Sequence, residues 1–388
     1  MNRKKLHEGD TLFPLDENIV PTFPVDYNSI LKRITEIDAS KYAKTRNFVD
    51  GAVTYLSPYI ARGVISLPQI RDVVMKNKKL YEVEKLMQEL AWREYFQRIW
   101  QYYGDGIFKD VKQKQPDVIH HQMPKAIMEA CTQIDGIDKG IATLYQTGYM
   151  HNHVRMYTAM LACNIAKSHW QQASQWMYYH LLDGDLASNT LSWQWVAGSF
   201  SSKKYYADQE NISKYTGSRQ QHGYLAFDYA TLTDMPVPEV LSANISFSLT
   251  TSLPEPVSIK MDASLATLVY NTYNLDPNWY RNEKANRVLL LEPSHFKKFP
   301  VSDKVLQFNI QLAKENIEGI QIFVGEFDEL MALLPSTFGE GQEVKFKEHP
   351  TALHYKGLQE SRDWLFPEVS GNFNSFFAYW KKCEHYLK

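Results

Sequence analysis

Cysteine is scarce in this chain of 388 residues. The three that occur, Cys131, Cys163 and Cys383, lie far apart. That spacing suits neither a disulfide framework nor an iron–sulfur or other metal site, so no metal is expected and a reducing, cytoplasmic setting is the natural reading. Long apolar runs are missing too. No stretch of about 18 apolar residues occurs, and no membrane span is expected. The opening MNRKKLHEGDTLFPLDEN holds no apolar core and does not read as a signal peptide. Charge of one sign is also lacking, with 42 Lys+Arg against 44 Asp+Glu. The balance holds on both sides of residue 240, at 27 against 26 and 15 against 18. Bulk charge therefore gives no support for nucleic-acid binding, which leaves only a local basic patch to supply it.

Aromatic side chains are what the sequence has in quantity, at 13%. Six of the nine tryptophans fall between Trp92 and Trp195. The length allows two domains. Residues 1–25 are polar and proline-containing, an extended N-terminal arm. Residues 26–230 read as helical. Ile30, Leu31, Ile34 and Ile37 recur at helical spacing, and SLPQIRDVVMKN carries Ser66 as a cap and Pro68 in the first turn. VEKLMQELAWREYFQRIWQYY, HNHVRMYTAMLACNIAKSHW and QQASQWMYYHLL read as further helices. Residues 231–284 are rich in Thr, Ser and Pro and read as a linker. Residues 285–388 alternate apolar runs (VLLLEP, GIQIFVG, EVKFKEHP) with helical stretches, one of them capped by Ser302. The fold class is thus mainly α: an all-helical domain followed by a small C-terminal α/β domain with a parallel sheet.

Chemistry concentrates in HLLDGDLASNTLSWQWVAGS, His180–Ser199, where Asp183 and Asp185 precede Asn189, Trp193 and Trp195. Alone it reads as a helix end with structural indoles. A calcium loop would need more oxygen ligands at suitable spacing. Other stretches add to it. TGYMHNHVRM puts Asn152 and Arg155 on one helix face, and QELAWREYFQ does the same for Glu89, Trp92 and Arg93. TYLSPYIARG, Thr54–Gly63, offers hydroxyls and backbone amides ahead of a helix, and NIAKSHW ends at Trp170.

With its LSPY turn, ELAWREYF, TGYMHNHVRM and DGDLASNTLSWQW in this order over about residues 40–200, the chain resembles the flavin-binding helical domain of the photolyase and cryptochrome family. The resemblance implies FAD, folded into a U shape within a helical cavity. It implies that Thr54, Leu56 and Ser57 hold the diphosphate with Arg93, and Tyr42 is a weaker candidate for the same phosphates. Asp183 and Asp185 match the aspartates beside the ribityl, adenine and ring portions, with Arg155 against the ring and paired to the first of them. A buried carboxylate needs such a partner. Asn189 matches the residue facing flavin N5, and Asn152 belongs to the same surroundings. Trp193 and Trp170 match the inner and middle members of an electron-transfer chain. Its outer member has no tryptophan match: either Tyr103, Tyr145, Trp176 or Trp100 substitutes, or the electron path stops short. Both indoles can equally be core packing.

For substrate, the resemblance places Glu89, Trp92, Asn152, Met156 and Trp195 around a flipped-out pyrimidine dimer, held by stacking and hydrogen bonding. Asparagine at 152, where enzymes for the (6-4) lesion carry histidine, favours cyclobutane dimers. The alternative is that Glu89 forms a salt bridge and Trp92 packs a helix interface. Two departures stand out. The α/β unit follows the helical domain instead of preceding it, so an antenna chromophore stays unknown. SSKKYYADQENISKYTG departs from the family's continuation, and Lys203, Lys204 and Lys214 serve either DNA phosphates or a solvated loop. The expected function is FAD-dependent, blue-light-driven repair of cyclobutane dimers, a lyase acting on damaged DNA. The alternative is a cryptochrome-like photoreceptor with a protein partner.

Overall fold

A computed structural model describes residues 21–334 and 343–387. Most of the predicted N-terminal arm lies outside the described residues. The helical part runs through α1 (Tyr27–Thr35), α2 (Ala39–Thr45), α3 (Ser57–Ala61), α4 (Leu67–Met75), α5 (Leu80–Tyr103), α6 (Lys125–Met128), α7 (Asp135–Thr147), α8 (Asn152–Met160), α9 (Trp170–His180), α10 (Leu186–Ala197), α11 (Gln209–Thr216) and α12 (Tyr229–Asp234). A two-residue strand, β1 (Met123–Pro124), pairs antiparallel with β2 (Asn244–Ile245).

Local chemistry explains these boundaries. Ser66 caps α4 in a reciprocal capping box with Gln69. α5 spans about 36 Å at the usual helical rise, and from Glu94 to Trp100 every side chain is buried. It therefore passes through the interior and is not amphipathic. It stops at Gly104, whose φ of 52° is open to glycine at little steric cost. α10 begins at the cap Asp185, which accepts from Ser188 N, and ends at Gly198 in the left-handed region. The long helix expected to run from His151 to Trp170 is interrupted. After α8 the chain makes one π-helical turn, Leu161–Ile165, with Ala166 N donating to Leu161 O at 2.8 Å. It then turns at Lys167 (φ 56°) and restarts at Trp170.

The C-terminal unit is a parallel five-stranded sheet in the order β5-β4-β3-β6-β7. Its strands are β3 (Ala266–Tyr270), β4 (Ala285–Leu291), β5 (Ile320–Val324), β6 (Val344–Lys347) and β7 (Leu358–Glu360). Helices α13 (Pro293–Lys298), α14 (Asp303–Asn316), α15 (Phe327–Met331) and α16 (Phe376–Cys383) complete it. β4, β5 and β6 fall on the three apolar runs of the sequence. β3, the central strand, lies in the stretch read as a linker, so the sheet begins at 266 and not at 285. The Thr/Ser/Pro-rich surroundings hid its short apolar run.

One hydrophobic core spans both parts, joining α1, α4, α5 and α10 to β3, β4, α14 and α16. The segment from Arg362 to α16 lies along α5. Glu94, buried on α5, accepts from Leu365 N, from Phe366 N at 2.9 Å and from Tyr379 Oη at 2.8 Å. Arg98 donates to Phe366 O and stands 3.5 Å from the centre of the Trp364 ring. Gly63 marks another close approach, since a Cβ there would lie 2.5 Å from Tyr273 O.

Candidate cofactor site

The DGD loop between α9 and α10 is buried and held from several sides. Arg62, 1% exposed, donates to Leu182 O at 3.0 Å, to Gly184 O at 2.9 Å and to Thr272 O at 3.4 Å. The guanidinium thus fixes the loop carbonyls on both sides of Asp183. Arg155 on α8 contacts Asp183 Oδ1 and Oδ2 through one nitrogen, at 3.0 and 2.8 Å, and donates Nε to Met150 O at 2.7 Å. Arg93 on α5 stands 3.2 Å from Asp185 Oδ2. Gln97, one turn further along α5, donates to the same oxygen.

Burial works to raise the Asp185 carboxyl. Arg93, the amide and hydroxyl of Ser188, and Arg362 outweigh it, and Asp185 is held below the usual carboxylate range. The two aspartate side chains are 4% and 3% accessible, while Arg155 and Arg93 keep 22% and 18%. Each arginine therefore has an open edge, where an anionic group can add to the carboxylate it already holds.

The turn before α3 supplies hydroxyls. Thr54 Oγ1 accepts from Leu56 N at 3.4 Å, and Ser57 opens the helix, half-buried. Between them Tyr55 has φ 52°, a strained setting for a bulky residue of the kind that clusters at ligand sites. Its ring meets Tyr149 at 5.4 Å, and Arg155 lies 5.4 Å from the Tyr149 ring centre. The turn, the Arg155–Asp183 pair and α8 are thereby tied together. On α10, Asn189 donates Nδ2 to Ser174 O at 2.9 Å, which leaves its Oδ1 as the acceptor end.

A second group flanks these residues. Glu89 on α5 pairs with Arg46 at 3.3 Å, and Tyr42 on α2 stands beside both. The Glu89 side chain is 38% accessible yet enclosed by protein, and that enclosure raises its carboxyl against the pull of Arg46. Asn152 is exposed at the start of α8, and Met156 is half-buried against the helical core. Trp193 and Trp170 are buried in that same core, and Trp170 Nε1 donates to Asp110 Oδ1 at 2.8 Å. Trp195 is two positions past Trp193, about 200° around the helix. It is 37% exposed and packs on Tyr205. Trp92 has one face covered: Phe376 of α16 stacks on it at 3.9 Å and 10°.

Sequence reasoning missed Arg62, Gln97, Arg46, Tyr149 and Arg362. Arg62 sits inside the quoted TYLSPYIARG, and Gln97 is one helical turn from Arg93, so both carried a signal. Arg362, from beyond β7, carried none. Among the described residues, no helix is long and apolar enough to cross a membrane, and no group of three or more His, Cys, Asp or Glu is placed to hold a metal.

Such a site, with two guanidiniums backed by buried carboxylates, hydroxyls at a strained turn and an amide acceptor on α10, fits a large ligand carrying both phosphates and a polar ring. Residues 86–227 match the family described as the FAD binding domain of DNA photolyase. The deoxyribodipyrimidine photo-lyase of Synechococcus sp. is 29% identical over 169 residues, 41% of this chain and 35% of that protein. The cryptochrome DASH of Danio rerio is 31% identical over 170 residues, 40% of this chain and 32% of that protein. A Synechocystis cryptochrome structure aligns at 22% identity and a TM-score of 0.48, covering 60% of this chain and 51% of that one. The matched stretch spans about a third of the length of the two curated relatives. Residues 86–227 thus form a domain of the photolyase and cryptochrome family, and FAD is the cofactor of that domain.

Proposed function

We propose that this protein uses light to split cyclobutane pyrimidine dimers in DNA. The observation that carries the reading is the placement of Glu89 and Trp92 on the same stretch of α5 as Arg93, with Asn152 on the same helix, α8, as Arg155. A base-binding rim thus shares its two helices with the cofactor residues. When bound, FAD supplies the light-excited electron. The chain's own residues bind and tune. Arg93, with the hydroxyls of Thr54 and Ser57 and with Tyr42, takes the diphosphate. Arg155, backed by Asp183, sets a positive edge against the ring. Asn189, its amide fixed by Ser174 O, would offer the ring of bound FAD an acceptor. Glu89, its carboxyl raised, would offer a hydrogen bond to a base. Trp193 and Trp170, buried in the helical core, would serve as an electron path toward bound FAD.

The test is a thymine-dimer oligonucleotide incubated in light and in darkness with the wild type, Glu89→Ala and Trp92→Ala. Light-dependent loss of dimer in the wild type, reduced at least tenfold in both variants, is expected. A wild type that bleaches its flavin yet repairs nothing would sink the proposal. One observation favours a second reading. Phe376 occupies a face of Trp92 on which a flipped base would stack. That suits a sensor in which Trp193 and Trp170 photoreduce the flavin and a protein partner reads the change.

A further inference from the structure

One contact from the α/β unit reaches the cofactor residues themselves. Arg362, two residues past β7, donates Nη1 to Gln97 Oε1 at 2.8 Å. Gln97 in turn donates Nε2 to Asp185 Oδ2, the oxygen that also faces Arg93. Gln97 is 3% exposed. A buried primary amide can face a neighbour with its donor or its acceptor end, and only the donor end suits a carboxylate. Asp185 thus selects the donor end, and the partner of the other end reinforces that choice. Arg362, a donor that cannot become an acceptor, takes Oε1 and leaves Nε2 for Asp185. Without it Oε1 loses its donor, and the bond to Asp185 alone holds the amide.

We propose that Arg362 is a positioning residue of the FAD site: through Gln97 it holds Asp185 oriented against Arg93, so the α/β unit completes a pocket built mainly by the helical part. The arrangement has an electrostatic side. Asp183 and Asp185 are two like charges two residues apart in a buried loop, and each needs a cation. Arg155 serves the first. Asp185 is faced by Arg93 from α5, by Arg362 from the segment after β7, and by the hydroxyl groups of Tyr178 on α9 and Tyr273 after β3. Arg62 holds the loop between them, and His349, packed near Arg362, is kept neutral by burial.

The experiment measures FAD affinity by equilibrium dialysis against the apoprotein, and the pH at which FAD is released, for four chains. Arg362→Gln removes the charge, and Arg362→Lys keeps the charge but loses the fork. Tyr379→Phe removes a different bond between the α/β unit and α5, the one to Glu94, without touching Gln97. The wild type completes the set. Arg362→Gln is expected to bind FAD about tenfold more weakly and to release it at a higher pH, because Asp185 then protonates sooner as the pH falls. Arg362→Lys is expected between the two, and Tyr379→Phe like the wild type. Wild-type affinity and release pH in Arg362→Gln would overturn the proposal. So would an equal loss in Tyr379→Phe, which would make the effect a general loosening of the two units. Should Arg362→Gln not fold, Arg362→Lys decides alone, and an unchanged release curve there counts against it.

Discussion

At the scale of single residues, the site is a set of charges that tolerate burial only as pairs. Removing one partner leaves the other uncompensated, so Asp185→Asn is expected to cost about 3 kcal/mol of stability and to abolish FAD retention. Thermal unfolding of the apoprotein and the flavin absorbance of the purified protein check the two parts separately. Asn189 allows a finer test. Its Nδ2 donates to Ser174 O, and Asn189→Asp would set an ionised oxygen against that carbonyl, at a cost of about 1–3 kcal/mol near neutrality. The new carboxyl would have a raised pKa when folded, so its protonated form regains the bond as the pH falls through that value. The gap in melting temperature between variant and wild type is therefore expected to narrow from pH 7.5 to pH 5. A gap that widens would mean that the amide bond is not what holds residue 189. Asp183, Asp185, Asn189 and Arg155 were legible in the sequence because they sit together in short stretches with strong local order. Arg362 was not, because nothing in the chemistry of QESRDWLF says that it returns to α5.

At the scale of elements, the long helix α5 does two jobs with neighbouring stripes. Glu89, Arg93 and Gln97 recur every four residues and face the site. Glu94, Tyr95 and Arg98 face the returning segment before and within α16. Local signals gave α4 and α14 almost to the residue through the caps Ser66 and Ser302, and α9 through the run QQASQWMYYHLL. They failed at β3 and β7, which are short and gain their stability from strands distant in sequence, and at the π-helical turn after α8, where the apolar periodicity continues through the break. α16 also bears on function. Phe376→Ala is expected to destabilise the fold by about 3–5 kcal/mol, the usual cost of deleting a buried phenyl group, while freeing a face of Trp92. If Trp92 stacks on a flipped base, this variant binds a dimer-containing oligonucleotide more tightly than the wild type does, measured by titration in the dark with undamaged strand as reference. Equal binding would show that Phe376 does not stand in the base's place.

At the scale of the whole molecule, the shared core and the bonds of Arg62, Glu94 and Arg362 make the helical and α/β parts one cooperative unit, and its acid response follows from histidines in both. Burial pushes His151, His153 and His180 on the helical side down to about 4; His295 in the α/β unit falls equally far, and His349 is likewise lowered. Each stays neutral in the folded chain, while in the unfolded chain each binds a proton near the ordinary value of about 6.5. Between those two values the unfolded state holds more protons, so stability falls as the pH drops through that window. The buried His151 and His349 should dominate, since half-exposed rings are relieved by solvent. Asp185 adds to the loss only lower down, as its depressed carboxyl begins to protonate. Glu89 and Glu94, raised by burial, act in the opposite sense, each gaining as the pH falls through its folded value. The apoprotein is expected to melt in a single transition at pH 7.5 and to lose melting temperature steadily from pH 6.5 to pH 4. His151→Gln should flatten that slope. Two separated transitions would contradict the shared core, and a slope unchanged in His151→Gln would remove that histidine from the account. The same curve bears on cofactor retention, because Arg46 ties His151 to Glu89 through backbone and side chain at once. Protonating the ring would put a second cation beside Arg46, and loss of FAD is then expected to begin within the same window in which the fold weakens.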